Sequence, residues 1–140
     1  MSKQDAVQAQ KQFGEAVNSG NLDKLREVVA PNAFDHDPAP GQEPGPEGYI
    51  QFFSKMRSAF PDMNIQVDQM VADEDKVAIA YTLTGTHKGN FKGIAATGHK
   101  ISVRGVQIGR FENGQLVERW GSSDELGIMK QLGAHVEEHH

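Results

Sequence analysis

Asp124 is the residue around which chemistry could be built. It lies in "VERWGSSDELG", residues 117–127, four positions after the chain's only tryptophan, Trp120. If this stretch is a strand, that spacing puts both side chains on one face. A carboxylate walled by an indole loses hydration, which favours its protonated form. Such a group can take a proton from a carbon beside a carbonyl and return one to oxygen near neutral pH. A competing reading makes it the start of a helix. In "SSDELG", Ser122 and Glu125 have capping-box spacing, and Asp124 falls near the positive end of the helix dipole. Capping favours the charged carboxylate and burial the neutral acid, so the two readings are separable.

Threading the last hairpin supplies partners for Asp124. Asn113-Gly114 is the strongest short hairpin signal in the chain. With these two as the turn, Glu112 pairs with Gln115 and Phe111 with Leu116; further out, Gln107 opposes Trp120 and Val103 opposes Asp124. One face then carries Val103, Gln107, Phe111, Leu116, Trp120 and Asp124. The other carries Arg104, Val106, Ile108, Arg110, Val117 and Arg119. A bulge at Gly105 or Gly109 would move this register by one. Gln107 is placed to orient the acid or hold a substrate carbonyl. His36, in "FDHDPAP", offers a second proton-transfer group. Its flanking Asp35 and Asp37 suggest a metal site, but successive residues of an extended chain point apart, and no metal is expected. His87, in "GTHKG", either reaches the pocket or bonds a neighbouring loop. Tyr81, Phe53 and Met56 complete the expected pocket wall.

These side chains need a scaffold. Ala6, Ala9, Phe13 and Val17 form one stripe along a first helix. "NLDKLREVVAP" reads as a short second helix with Leu22, Leu25 and Val29 inward. The stretch "NAFDHDPAPGQEPGPEG" reads as loop. A third helix begins near Pro46 and carries Tyr49, Phe52, Phe53, Met56 and Phe60. Beyond Pro61 the period becomes two: strands are expected at "NIQVDQMVA", "VAIAYTLTGTH", "KISVRGVQIGRFE" and "QLVERWGSSD", with "DELGIMKQLG" as a closing helix. Helices followed by four antiparallel strands make an α+β fold in which the helices cover a strongly bent sheet. Gly105 and Gly109 are where bending is easiest.

Composition narrows the function classes. Of 140 residues, 37% are hydrophobic and 24% charged, a globular composition. The net charge of −5, without a Lys/Arg cluster, argues against nucleic acid or an anionic membrane as partner. There is no cysteine, hence no thiolate site or disulfide. No signal-like or membrane-length apolar run is present, so a cytoplasmic location is expected. Residues 1–136 read as one domain, with "EEHH" at 137–140 a tail that resembles part of a tag.

The strings "HDPAPG", "GPEGYIQFFSKMRSAFPDM", "GTHKGNFKG", "ATG" and "GRFENGQLVERWGSSDELGIMKQLG" resemble the SnoaL-like polyketide cyclase (ester cyclase) branch of the NTF2-like superfamily, from about residue 5 to 134. The resemblance implies a cone-shaped α+β barrel, commonly a homodimer through its sheet. It implies a cofactor-free intramolecular aldol ring closure on a polyketide ester, with Asp124 as acid/base and Gln107 assisting. The chain departs from the family in having Ala96 where Pro is frequent, and in lacking the histidine that accompanies the glutamine. Two functional readings follow: a cyclase or isomerase-type enzyme, or a module that binds a small apolar, polyketide-like or aromatic molecule unchanged. Epoxide hydrolysis, also found on this fold, needs two carboxylates with an arginine, and the threading offers no such set.

Overall fold

The apolar stripe Ala6, Ala9, Phe13 and Val17 winds as expected into helix α1 (Lys3–Ser19), and all four side chains are buried. The structure is a computed structural model that describes residues 3–133; the tail at 137–140 lies outside them. A 3-10 turn (Leu22–Lys24) leads into the short helix α2 (Leu25–Val28). The chain then departs from expectation: Val29–Asp35 is a strand, β1, where a helix end and a loop are expected. Its Val29, Ala30 and Ala33 are buried. Pro31 is compatible with a strand here because β1 lies at the sheet edge and need not donate on both sides. The register of β1 is broken between Val29 and Phe34, which hides the period-two pattern.

The remaining elements are α3 (Pro46–Ala59), β2 (Asn64–Asp73), β3 (Lys76–Thr86), β4 (Lys100–Glu112), β5 (Gln115–Ser123) and α4 (Glu125–Gln131). The five strands form one sheet in the order β1-β5-β4-β3-β2. All pairings are antiparallel except that of β1 with β5. Val77, Ile79 and Leu83 of β3, Ile101, Val103 and Phe111 of β4, and Leu116 of β5 are buried. They meet Phe13, Val17, Leu25, Tyr49 and Met56 from the helices in a single core. Each large apolar side chain buried this way contributes roughly 1.5–3 kcal/mol. The opposite face of the sheet leaves Val71, Val106 and Ile108 exposed.

The last hairpin decides which residues face inward. Asn113 and Gly114 both take positive φ, 52° and 76°, as a two-residue hairpin turn requires. Glu112 pairs with Gln115 and Phe111 with Leu116, as threaded. Then Arg110 pairs with Glu118, so Val117 is an extra residue. Past this bulge every β5 residue is displaced by one from the simple threading. Gly109 opposes Arg119, Ile108 opposes Trp120, and Gln107 opposes Gly121. Arg119 therefore turns to the inner face and Trp120 to the outer, the reverse of expectation.

Candidate active site

Because β1 alternates like any strand, its last residue, Asp35, points inward while His36 points outward. The Asp35 side chain is only 6% exposed. Parallel pairing sets Asp35 beside Arg119, and the bulge in β5 has already turned Arg119 to the same side. Arg119 Nη1 donates to both Asp35 oxygens at 3.1 Å. Its Nε donates to Gln107 Oε1 at 2.7 Å. The guanidinium lies so close over Gly121 that a Cβ there would collide with Nη2.

Three further donors complete the carboxylate's surroundings. The Tyr49 hydroxyl, from α3, donates to Oδ2 at 2.9 Å, and Gln42 Nε2 donates to the same oxygen at 3.3 Å. The Asp37 N–H donates to Oδ1 at 2.8 Å. Among the described residues, each hydrogen-bond partner of Asp35 is a donor, matching the acceptor oxygens of a carboxyl group. Burial, and next to it the Asp35 charge, push the Tyr49 phenol far above its ordinary range, so it stays a neutral donor. Burial also pushes the Tyr81 phenol up.

Asp35 and Tyr49 line a hollow of about 150 Å³ with Ala33, Pro38, Gln42 and Pro44. A larger depression of about 380 Å³ lies between α1 and the hairpin turn, among Gln8, Gln12, Asn113 and Gly114. The smaller one includes in its lining the buried Asp35, which is ion-paired with Arg119. A carboxylate can remove a proton from an acidic C–H. A donor that lines the same hollow, such as the Gln42 amide, can hold the oxyanion that results.

The other expected site residues are dispersed. Gln107 is buried at the inner cluster, bound to Arg119. Asp124 is not in the strand. It is the N-cap of α4, exposed, with Oδ1 accepting from the Gly127 N–H at 2.8 Å. β5 ends at Ser123, and the Gly127 amide in the first turn of the new helix claims the exposed Asp124 carboxylate. Trp120 is not an inner wall. It stacks on His36 with centroids 4.6 Å apart and planes 6° from parallel, on the outer face. His36 Nε2 is 2.7 Å from Glu118 Oε2, so the Asp35-His36-Asp37 stretch is divided: Asp35 inside, His36 outside, and Asp37 Oδ2 accepting from the Gly121 N–H. His87 is fully buried and accepts from the Thr97 N–H at its Nδ1, 3.2 Å away; it clasps a loop rather than a pocket. Met56, Val103 and Phe111 are core. Phe53 packs edge-on against Phe13 with centroids 6.1 Å apart. Tyr81 is half-buried on β3.

The SnoaL-like polyketide cyclase profile matches residues 7–132. The chain belongs to that family. Among SnoaL-like proteins it is 29% identical, over 126 residues, to the aklanonic acid methyl ester cyclase DauD of Streptomyces sp. strain C5, covering 85% of this chain and 76% of DauD. It is 28% identical to the aklanonic acid methyl ester cyclase DnrD of Streptomyces peucetius, covering 85% of this chain and 84% of DnrD. The structure of TsrD from Streptomyces laurentii superposes with a TM-score of 0.86 at 28% identity, covering 96% of this chain and 99% of TsrD. That of IdmH from Streptomyces antibioticus gives 0.80 at 32% identity, covering 92% and 99%. For a SnoaL-like chain, sequence reasoning missed Asp35, Arg119, Tyr49 and Gln42 as one cluster. A signal was present: "FD" leaving an apolar run, and a lone inward-capable arginine in "VERW". Reading it required knowing that β1 is a strand and that β5 is bulged.

Proposed function

We propose that this chain is a cofactor-independent cyclase that closes a ring within a polyketide-like ester, with Asp35 as its general acid/base. The observation that carries the reading is the buried Asp35 carboxylate, held by Arg119 and open to a hollow. Family membership supports the reaction class. Asp35 takes a proton from the carbon between two carbonyls, and the C–H electron pair moves onto a carbonyl oxygen as an enolate. The Gln42 amide, which lines the hollow beside Asp35, donates to that oxygen. The enolate carbon then adds to a ketone carbonyl of the same molecule, and the resulting alkoxide takes the proton back from Asp35. No proton is gained or lost, so one carboxylate suffices. Gln107 holds Arg119 in place, and Tyr49 holds Asp35.

The test uses aklanonic acid methyl ester, the substrate in the names of DauD and DnrD. Asp35→Asn is expected to cut turnover by about a hundredfold to ten-thousandfold, the usual worth of a general base. Asp124→Asn, which keeps an equally good cap, is expected to retain turnover. Loss confined to Asp124→Asn would overturn the assignment and return proton transfer to the residue that the family resemblance singles out. The alternative of binding without turnover draws support from the four groups that already donate to Asp35. Recovery of bound, unaltered ester from the unsubstituted protein would select it.

The same reading includes a cytoplasmic protein whose second copy covers the outer face of the sheet. Phe34, Val71, Val106 and Ile108 lie on that face, 60%, 69%, 55% and 43% exposed. Such a patch is more than scattered surface apolar residues require.

A further inference from the structure

We propose that Asp37 is the positioning residue for Asp35: its carboxylate replaces one rung of the β1–β5 pairing, and so fixes the backbone N–H that holds Asp35 Oδ1. The inference rests on Asp35 being the base. The last backbone bond of this parallel pair runs from the His36 N–H to Arg119 O, 2.8 Å away. In a continued ladder the next bond would run from the Gly121 N–H to the His36 carbonyl. The structure puts Asp37 Oδ2 there instead, 2.8 Å from the Gly121 nitrogen. A short acidic side chain can take the place of a backbone acceptor in this way.

The exchange of backbone for side chain lets the chain leave the strand while staying attached to β5. Had the strand continued, the Asp37 N–H would point away from β5. With the backbone turned, it donates to Asp35 Oδ1 at 2.8 Å. Pro38 follows; it has no N–H of its own and keeps Asp37 in extended backbone conformations. Among the described residues, no other hydrogen bond joins residues 37–45 to β5. The position of the Asp37 N–H therefore depends on its own carboxylate.

The same bond reaches the other support of Asp35. The Arg119 guanidinium lies over Gly121, and its Nη1 donates to both Asp35 oxygens. Asp37 thus grips β5 at the residue on which that guanidinium rests. It is exposed and does not line the hollow, so it acts through Asp35 and not on substrate. The other charged or titratable groups about Asp35 are Arg119 of β5, Tyr49 of α3 and Glu43, which lines the same hollow.

The experiment compares Asp37→Asn with Asp37→Ala. Both remove the negative charge, and only Asp37→Asn keeps an oxygen for the Gly121 N–H, so their difference reports the bond alone. A carboxylate that loses a donor keeps its proton to higher pH. In a carbon-13 NMR titration, the midpoint of the Asp35 carboxyl is expected to lie about half a unit or more higher in Asp37→Ala than in Asp37→Asn. With aklanonic acid methyl ester, kcat is expected to be about tenfold lower in Asp37→Ala than in Asp37→Asn. KM should differ little, and the acid limb of kcat/KM should move with the NMR midpoint. A merely structural role would lower the urea midpoint of Asp37→Ala and leave the titrations and kcat of the two variants equal. That result, with Asp35→Asn inactive, overturns the part given to Asp37 and leaves the base assignment standing. Full turnover by Asp35→Asn, or none by the unsubstituted protein, ends the base assignment and the part of Asp37 with it.

Discussion

Asp35 and Asp124 differ in what surrounds them, and that difference decides their parts. Asp124 meets the unpaired amides of a helix start, so removing its oxygen should act on stability. Asp124→Ala is expected to lower the unfolding free energy by about 1 kcal/mol, whereas Asp124→Asn, an equally good cap, should leave it nearly unchanged. Urea denaturation of both variants checks this, and equal losses would refute the capping role. Asp35 meets donors from a strand, a helix and a loop. Tyr49→Phe removes one of them and leaves a buried oxygen less satisfied, at an expected cost of about 1–3 kcal/mol. The same variant should lower turnover at pH values where Tyr49 itself never ionises, because its part is to hold the carboxylate. Denaturation together with a rate measurement near neutral pH separates the two effects.

At the scale of elements, β5 carries most of the functional consequence. Its first two pairs with β4 were readable from Asn113-Gly114. The bulge at Val117 was not, because nothing in "QLVERW" distinguishes a continuous alternation from one that slips by a residue. That one slip exchanges Arg119 and Trp120 between faces and sets Arg119 beside Asp35 on the inner one. The narrow inner side of β5 gives a test. Gly121→Ala places a Cβ where the Arg119 guanidinium now lies, at a backbone angle that alanine accepts. Turnover is expected to fall at least tenfold with a small change in melting temperature. A fall in stability with turnover per folded molecule unchanged would mean that Arg119 finds another productive position. β1 was hidden for a related reason. Its first residue also fits the helical period of Leu22 and Leu25, its register is broken, and Pro31 disguises it.

The whole molecule has one covered and one open sheet face. Pairing of two copies through the open face is expected to be broken by Ile108→Glu, which sets like charges opposite each other across a two-fold interface. Sedimentation would show a change from dimer to monomer; a monomeric unsubstituted protein would refute the pairing. The outer face also carries a pH-dependent pair. His36 first, then Arg110, hold the Glu118 carboxyl below its ordinary range. A lowered folded value means that the pair stabilises the fold at pH above the unfolded value, about 4.3, and that this stabilisation is lost as pH falls through the lowered one. Glu118→Gln should therefore reduce the extra loss of melting temperature seen below about pH 4.3, with the two proteins converging in strong acid. Parallel curves at all pH values would refute it.

Much of this protein is written locally. The stripe of α1, the start of α3 at Pro46, the four later strands, the Asn113-Gly114 turn and the capping pattern at Asp124 are each set by neighbours in the chain. Periodicity, proline and glycine geometry, and side-chain bonds to nearby amides act over only a few residues. The string of motifs was enough to identify the family. What the tertiary structure alone decided is which carboxylate is buried beside an arginine. Asp35 and Arg119 are brought together by a parallel pairing between residues 84 apart in sequence. Their inward direction depends on a single bulge. Local patterns carry no information about long-range pairing or strand slippage, because both are settled by the competition of whole faces for the core.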